Sequence, residues 1–288
     1  MSDATPVRLA GLHVYPIKSC AGVAVDESLL IETGLELDRA WMVVDAQGRF
    51  MSQRDWPRLA LVKPTLKVWD IVLRAPGMLA LHLRIDAVEA PTRATVWGDE
   101  VAAYDMGDLA ARWFSVFLGT EARLVRFDPE QRRACDAKWT AGHEAQTAFA
   151  DGFPLLVSST GSLSALNTRL AAAGQPPVTE ARFRPNLVIE GLDGRLDDHG
   201  EDFLDEIAFD TDEGQVRLKL CKPCTRCSIP DVDPATGERG HAVGDALAAY
   251  RADARMGGAL TWGMNAFPLE GIERLLKVGQ TGRATLAF

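Results

Sequence analysis

Three of the chain's five cysteines fall in one short run, C-K-P-C-T-R-C-S-I-P-D-V-D-P-A-T-G, from Cys221 to Gly237. Thiolate is a soft ligand that suits zinc, Cu(I), iron–sulfur clusters and other thiophilic metals. A thiol beside cations also ionises more easily, and Lys222 and Arg226 lie inside the run. Chemistry is therefore expected to centre on a cysteine here, against the plain alternative of three small core residues. A structural zinc site needs four N or S ligands. The two C-x-x-C steps supply three, and the fourth would come from His241, His199, Cys20 or an aspartate. An iron–sulfur cluster meets the same shortage. A single cysteine ligating a metal that brings its own further ligands needs no fourth residue, and this case fits best.

Basic and small polar residues recur at predicted strand ends. Y-P-I-K-S-C-A-G presents Lys18 and Ser19, L-D-R-A-W presents Arg39, M-S-Q-R presents Arg54, and R-F-R-P-N presents Arg184 and Asn186. Lysine and arginine donors beside serine and backbone N–H groups are what a phosphate or a polar heterocycle requires. Each alone is an ordinary solvated charge; they carry weight only if they converge. His13, His82 and His143 read as packing, surface or loop residues. Asp231 and Asp233 read as a turn before Pro234. No GxGxxG, P-loop or ordered Ser-His-Asp set stands out.

The elements that must position these groups are mostly strands. Val7–Tyr15, Trp41–Asp45 with Arg49–Met51, Leu79–Ile85 and Ala94–Tyr104 read as short strands, the spacing of a barrel or sandwich. Asp108 is expected to cap a helix ending at Gly119, with Leu109, Trp113, Val116 and Phe117 on one face. A boundary or long loop is expected near 120–148. Ser159 or Thr160 is expected to cap a helix carrying Leu163, Leu166 and Leu170. Phe183–Ile189 and Gln215–Cys221 read as strands, with Cys224 and Cys227 on the loop beyond. Ala242–Arg255 reads as a helix, and 276–279 with 283–288 as a closing hairpin.

With 288 residues, 47% of them hydrophobic, the chain can bury one large core or two ordinary ones. A formal net charge of −9 argues against nucleic acid or an anionic membrane as partner. The N-terminus lacks a secretory pattern, and no apolar run reaches membrane-spanning length. The odd cysteine count predicts a reducing cytoplasm and free or metal-bound thiols.

Taken together these segments resemble the MOSC superfamily, in particular the group of the mitochondrial amidoxime-reducing component and the bacterial YcbX-like proteins. Y-P-I-K-S-C-A-G, G-L-E-L-D-R-A-W-M-V-V-D and M-S-Q-R-D-W-P-R-L resemble the group's N-terminal β-barrel domain. F-R-P-N-L-V-I-E-G, C-T-R-C-S-I-P-D-V-D-P-A-T-G and T-W-G-M-N-A resemble the MOSC domain. The resemblance implies an α+β, β-rich fold, with a β-barrel-like domain over 1–120 and a MOSC β-barrel domain with flanking helices over 121–288. It implies a molybdenum cofactor (molybdopterin) and reduction of N-hydroxylated compounds. Cys227 would ligate molybdenum, with Arg226 as the cation beside the thiolate. Lys18, Ser19, Arg39, Arg184, Asn186, Thr225, Arg226 and Asn265 would contact the cofactor. So would Gly152 and Phe153, although D-G-F-P departs from the group's usual hydroxyl residues. Pro230-Asp231 stands where relatives often carry two threonines, and Cys221 is an extra thiol. The sequence as read stops at Phe288, where longer bacterial members continue into a ferredoxin-like domain. A separate donor, a ferredoxin or a cytochrome with its reductase, is therefore expected. The alternatives are a carrier of sulfur or of the cofactor, and a zinc-binding thiol module.

Overall fold

The computed structural model describes residues 4–87 and 90–287. The first three residues of the N-terminal segment, and Phe288 of the expected closing hairpin, lie outside the described residues. The architecture is rich in strands, at 41% strand and 18% helix, around a closed seven-stranded barrel. The barrel runs Leu155–Ser159, Leu187–Gly191, Thr5–Val14, Thr281–Leu286, Leu204–Thr211, Gly214–Thr225, Ala259–Glu270, and the last strand pairs back onto the first. Alternation of apolar and polar residues turns Val7, Leu9, Ile207, Phe209, Val216 and Leu218 into its interior. Leu155–Ser159 and Leu187–Gly191 run parallel, so they need a crossover. The helix Thr160–Ala172 supplies it.

The strand nearest the N-terminus thus sits between Leu187–Gly191 and Thr281–Leu286. Beyond it the early chain builds separate layers. Trp41–Val44, Arg123–Phe127, Asp99–Asp105 and Pro91–Val96 form a four-stranded sheet; Lys63–Leu66, Asp70–Arg74 and Leu81–Arg84 form a three-stranded one. Helix α1, Gly107–Leu118, packs Trp113, Phe114 and Phe117 into the core between them.

Helix chemistry explains where expectation and structure part. Helix α1 ends as expected at Gly119, in the left-handed region at φ 72°. Its start lies earlier than Asp108: the Asp105 carboxylate accepts the Gly107 N–H at 2.7 Å. Leu109 and Val116 are exposed, and Ala110, Phe114 and Leu118 take the buried face instead. Helix α2, Thr160–Ala172, is capped by Ser159, whose Oγ accepts the Ser162 N–H at 3.1 Å. Helix α3, Ala242–Ala248, is shorter than expected, because Ala252–Asp253 leaves it to pair with Ala259–Leu260. The expected closing hairpin is not one. Leu275–Lys277 pairs with Glu27–Ile31, while Thr281–Leu286 enters the barrel. No helix among the described residues is long and apolar enough to cross a membrane.

Candidate functional site

The site begins with an aromatic ring and two cations. Tyr15, at the end of the first barrel strand, is buried. The Arg39 and Arg184 guanidinium carbons each lie 4.3 Å from its ring centroid. Arg39 donates to Asp38 at 2.5 Å, to Asn186 Oδ1 at 3.0 Å and to the Arg184 carbonyl at 3.1 Å. Asp38 in turn accepts the Tyr15 N–H at 2.7 Å. Arg184 donates to the Cys20 carbonyl at 2.5 Å, but its Nη2 is buried with no partner. Burial first, and then the like charge of Arg39, pull the Arg184 pKa down to about 10. Asn186 is tied into the protein through both ends of its amide. Its Oδ1 also accepts the Leu156 N–H and its Nδ2 donates to the His13 carbonyl, both at 3.2 Å.

These residues occupy strained backbone. Ser19, Arg39 and Arg184 have φ of 68°, 48° and 62°. Non-glycine residues there cost roughly 1–3 kcal/mol each and gather where surrounding structure holds them for a purpose. Pro185 follows Arg184, and the buried Phe183 ring stacks on Trp262 at 3.9 Å, so the turn is pinned from both sides.

A third cation enters from the early chain. Lys18 is buried and its ammonium donates to the Phe149 carbonyl at 2.7 Å and to Asp151 at 2.5 Å. Burial lowers the Lys18 pKa, and the Asp151 charge opposes it. The segment carrying Asp151, Gly152 and Phe153 is tied down by Arg133, which donates to the carbonyls of Ala148, Ala150 and Asp151 at 3.0, 2.7 and 3.2 Å. The Trp97 indole also donates to Asp151, at 3.1 Å. A Cβ built on Gly152 would meet no atom within 4 Å, so that backbone faces open space.

The cysteine run comes from the longest barrel strands. Pairing between Gly214–Thr225 and Ala259–Glu270 shifts register at Leu220/Lys222 and again at Pro223/Thr225. Such bulges twist a strand and re-aim its side chains. Gly263 permits the paired strand to follow: its φ is 69°, and a Cβ there would sit 2.6 Å from the Val157 carbonyl oxygen. Asn265, two residues on, donates to the Lys222 carbonyl at 3.2 Å. The three thiols diverge. Cys221 turns toward Cys135, Phe153 and Phe267 and donates to the Asn265 carbonyl at 3.3 Å; burial pushes its pKa up to about 12. Cys224 lies within the strand rather than on the loop, half-buried, and its Sγ accepts from Arg226 at 3.1 Å. Cys227 is exposed beyond the strand end. Arg226, expected as the cation beside the Cys227 thiolate, lines the same cavity but directs its hydrogen bonds elsewhere. Its guanidinium is spent on Cys224 and, at 3.0 Å, on the Phe183 carbonyl, while its Nε is buried without a partner.

One cavity between the barrel and the early layers is lined by Lys18, Ser19, Arg39, Gly152, Phe153, Arg184, Asn186, Thr225, Arg226, Cys227 and Asn265, the full set that the family resemblance assigned to cofactor and metal. Cys224, Phe50, Ser52, Arg54, Asp151 and Ile229 line it too. Arg54 had a signal in M-S-Q-R. Ser52 and Asp151 stood inside M-S-Q-R and D-G-F-P without being singled out, and Phe50 had no signal beyond adjacency, since tertiary approach brings them in. Among the described residues no group of three or more His, Cys, Asp or Glu side chains is placed to hold a metal. His241, a possible fourth zinc ligand, is instead beside Asp245 at 2.6 Å.

Comparison with known proteins gives the family. The family model described as the MOSC N-terminal beta barrel domain matches residues 6–121, and that of the MOSC domain matches residues 144–280. The chain is 36% identical to mitochondrial amidoxime reducing component 2 of Rattus norvegicus, over 78% of this chain and 66% of that protein. It is 34% identical to mitochondrial amidoxime-reducing component 1 of Homo sapiens, over 80% of this chain and 67% of that one. It is 28% identical to molybdenum cofactor sulfurase of Homo sapiens, over 85% of this chain but 29% of that protein. The chain spans about two thirds of the length of the amidoxime-reducing relatives. These relatives support a function related to the molybdenum cofactor. With both of its domain models matched and a relative above 30% identity covered over two thirds of its length, the chain belongs to the MOSC family.

Proposed function

We propose that the chain is a molybdenum-cofactor-dependent reductase of N-hydroxylated compounds, with Cys227 as the protein's thiolate ligand to the metal. The observation that carries the proposal is an exposed thiol sharing one cavity with buried cations whose donors are incompletely used. Arg184 Nη2 and Arg226 Nε are buried donors without partners. Such groups cost about 1–3 kcal/mol each unless a ligand completes them. A pterin carrying a phosphate offers acceptors of the right kind, and a metal that brings dithiolene sulfur needs only one cysteine. The residues present fit that group.

When bound, the cofactor supplies the two-electron chemistry, and the protein supplies binding, orientation and electrostatics. Lys18, Arg39 and Arg184 hold the dianionic phosphate by charge-assisted hydrogen bonds. Asn186 acts one step back, orienting Arg39 and the Leu156 amide. Ser19, Thr225 and Asn265 offer hydroxyl and amide groups to the pterin, and the open backbone at Gly152 with the Phe153 ring walls its other side. Arg226 fixes the strand end from which Cys227 projects. Reduction of an N–OH group consumes two electrons and two protons and releases amine or amidine plus water.

Molybdenum and pterin measured in purified protein, followed by turnover of an amidoxime with a reduced viologen, test the reading. Both present with steady turnover is the expected result; protein lacking pterin, or holding zinc instead, overturns it. The exposure of Cys227 also suits a carrier of persulfide sulfur or of the cofactor, and one relative is named as a molybdenum cofactor sulfurase. Loaded protein with no turnover from any donor selects that second reading.

A further inference from the structure

Beside the inner cavity lies a second cleft that shares Cys227, Arg226, Asn265, Arg54 and the 151–153 segment with it. The two differ in what else lines them. Lys18, Arg39 and Arg184 belong to the inner cavity alone; Trp97, Arg133, Asp136 and Lys222 belong to the outer cleft alone. The inner space holds the anion-binding donors, so the outer cleft is where a second molecule can reach the Cys227 end.

Its charges are unevenly satisfied. Of its carboxylates, Asp99 is held by Arg133 at 2.8 Å and Asp151 by Lys18. Asp136 accepts its neighbour Lys138's N–H at 3.0 Å. Among the described residues the Lys222 ammonium makes no ion pair. It rests near two ring faces, 5.5 Å from the Trp139 centroid and 6.0 Å from Phe153. Arg54 likewise has no carboxylate partner. Its Nε donates to Ser52 Oγ at 3.3 Å and its guanidinium stacks on Trp97 at 4.3 Å. On a chain of formal charge −9, this cleft sets two cations without carboxylate partners, Lys222 and Arg54, against one carboxylate without a cation partner among the described residues, Asp136, and so has positive charge to offer an anion.

We infer that the outer cleft is the substrate subsite and that it favours N-hydroxylated compounds bearing a carboxylate or similar anionic group, with Lys222 as the specificity residue and Arg54 beside it. The inference rests on the proposed reductase reading for the reaction, but not for the binding. Binding of benzamidoxime and 4-carboxybenzamidoxime to the purified protein is measured by calorimetry, and kcat/KM for both with a reduced viologen. The carboxylate compound is expected to bind about tenfold more tightly than the neutral one, an advantage that shrinks with added salt. In Lys222→Ala the carboxylate-to-neutral ratio, in affinity and in kcat/KM, falls by about the same factor. Lys222→Arg restores most of it. A ratio unchanged in Lys222→Ala overturns the inference, even in an active enzyme. If neither compound turns over, the reductase reading fails, while the binding ratio still decides whether this cleft recognises the anion.

Discussion

Single side chains divide the cysteine run into different tasks. Cys227 is exposed at the cavity, while Cys221 is half-buried and donates to a backbone carbonyl. Cys227→Ala is expected to keep the fold but to abolish thiolate ligation of the metal and all N-hydroxy reduction; Cys221→Ala should retain most activity. Metal analysis and turnover on the two variants check this, and full activity in Cys227→Ala refutes it. Asn186 works differently, since its side chain joins Arg39, Leu156 and His13. Asn186→Ala leaves buried partners unsatisfied and should cost roughly 1–3 kcal/mol, readable as a lower midpoint in urea. At this scale the sequence was informative for Lys18, Ser19, Arg39, Arg184 and Asn186, whose motifs carried a chemical reason for their types and which line one cavity, whereas Gly152, Phe153, Thr225 and Asn265 came from the family resemblance alone. Asp151 and Trp97 were not legible. Their pairing joins a hairpin tip to a distant loop, and nothing local to either segment encodes that approach.

Among the elements, short segments ahead of strands do most of the positioning. The single turn Glu180–Arg182 delivers Phe183 and Arg184 to the cavity, and the Glu180 carbonyl accepts the N–H groups of both. The Glu180 carboxyl lies beneath, accepting Ser158 Oγ at 3.1 Å, with its Oε1 buried and unpartnered. Burial, reinforced by Glu201 nearby and only partly offset by Ser158, raises its pKa to about 8. A carboxyl raised in the folded state holds its proton where the unfolded chain has lost it. Stability should therefore fall as pH rises from about 4.5 to about 8. Glu180→Gln should flatten that decline in thermal unfolding across the same window; an unchanged slope would exclude Glu180 as its source. Element boundaries were legible where a local device sets them, as at Ser159 and Gly119. They failed where a partner elsewhere decides. Ala252–Asp253 leaves the helical pattern because Ala259–Leu260 offers a strand edge. Leu109 and Val116 read as core by size, yet α1 buries the face carrying Ala110, Trp113, Phe114 and Phe117 and turns those two to solvent.

Across the whole molecule the site is an interface between the barrel and the layers built by the early chain. Lys18, Arg39 and Arg54 come from one side, and Arg184, Cys227 and Asn265 from the other. The β-rich class was legible from strand spacing and the family from its motifs. Barrel closure was not, because it depends on pairing residues nearly the whole chain apart. The sequence carries no dinucleotide fingerprint and no complete iron–sulfur pattern. NADH alone is therefore expected to support no turnover, while a reduced viologen, or a ferredoxin or cytochrome with its reductase, should. Steady oxidation of NADH by the purified chain with an amidoxime would refute this.

The pairing of Thr5–Val14 with Thr281–Leu286 has a consequence in time. A chain emerging from the ribosome makes its first barrel strand early and must wait for nearly all the rest before that strand finds both neighbours. The early sheets and α1 can form meanwhile, because all their strands pair within residues 41–127. Tyr15, which is stacked between the two guanidiniums, follows directly on that first strand. The pocket therefore cannot form before Thr281–Leu286 has been made, and any ligand it holds must be delivered after that strand has joined the barrel.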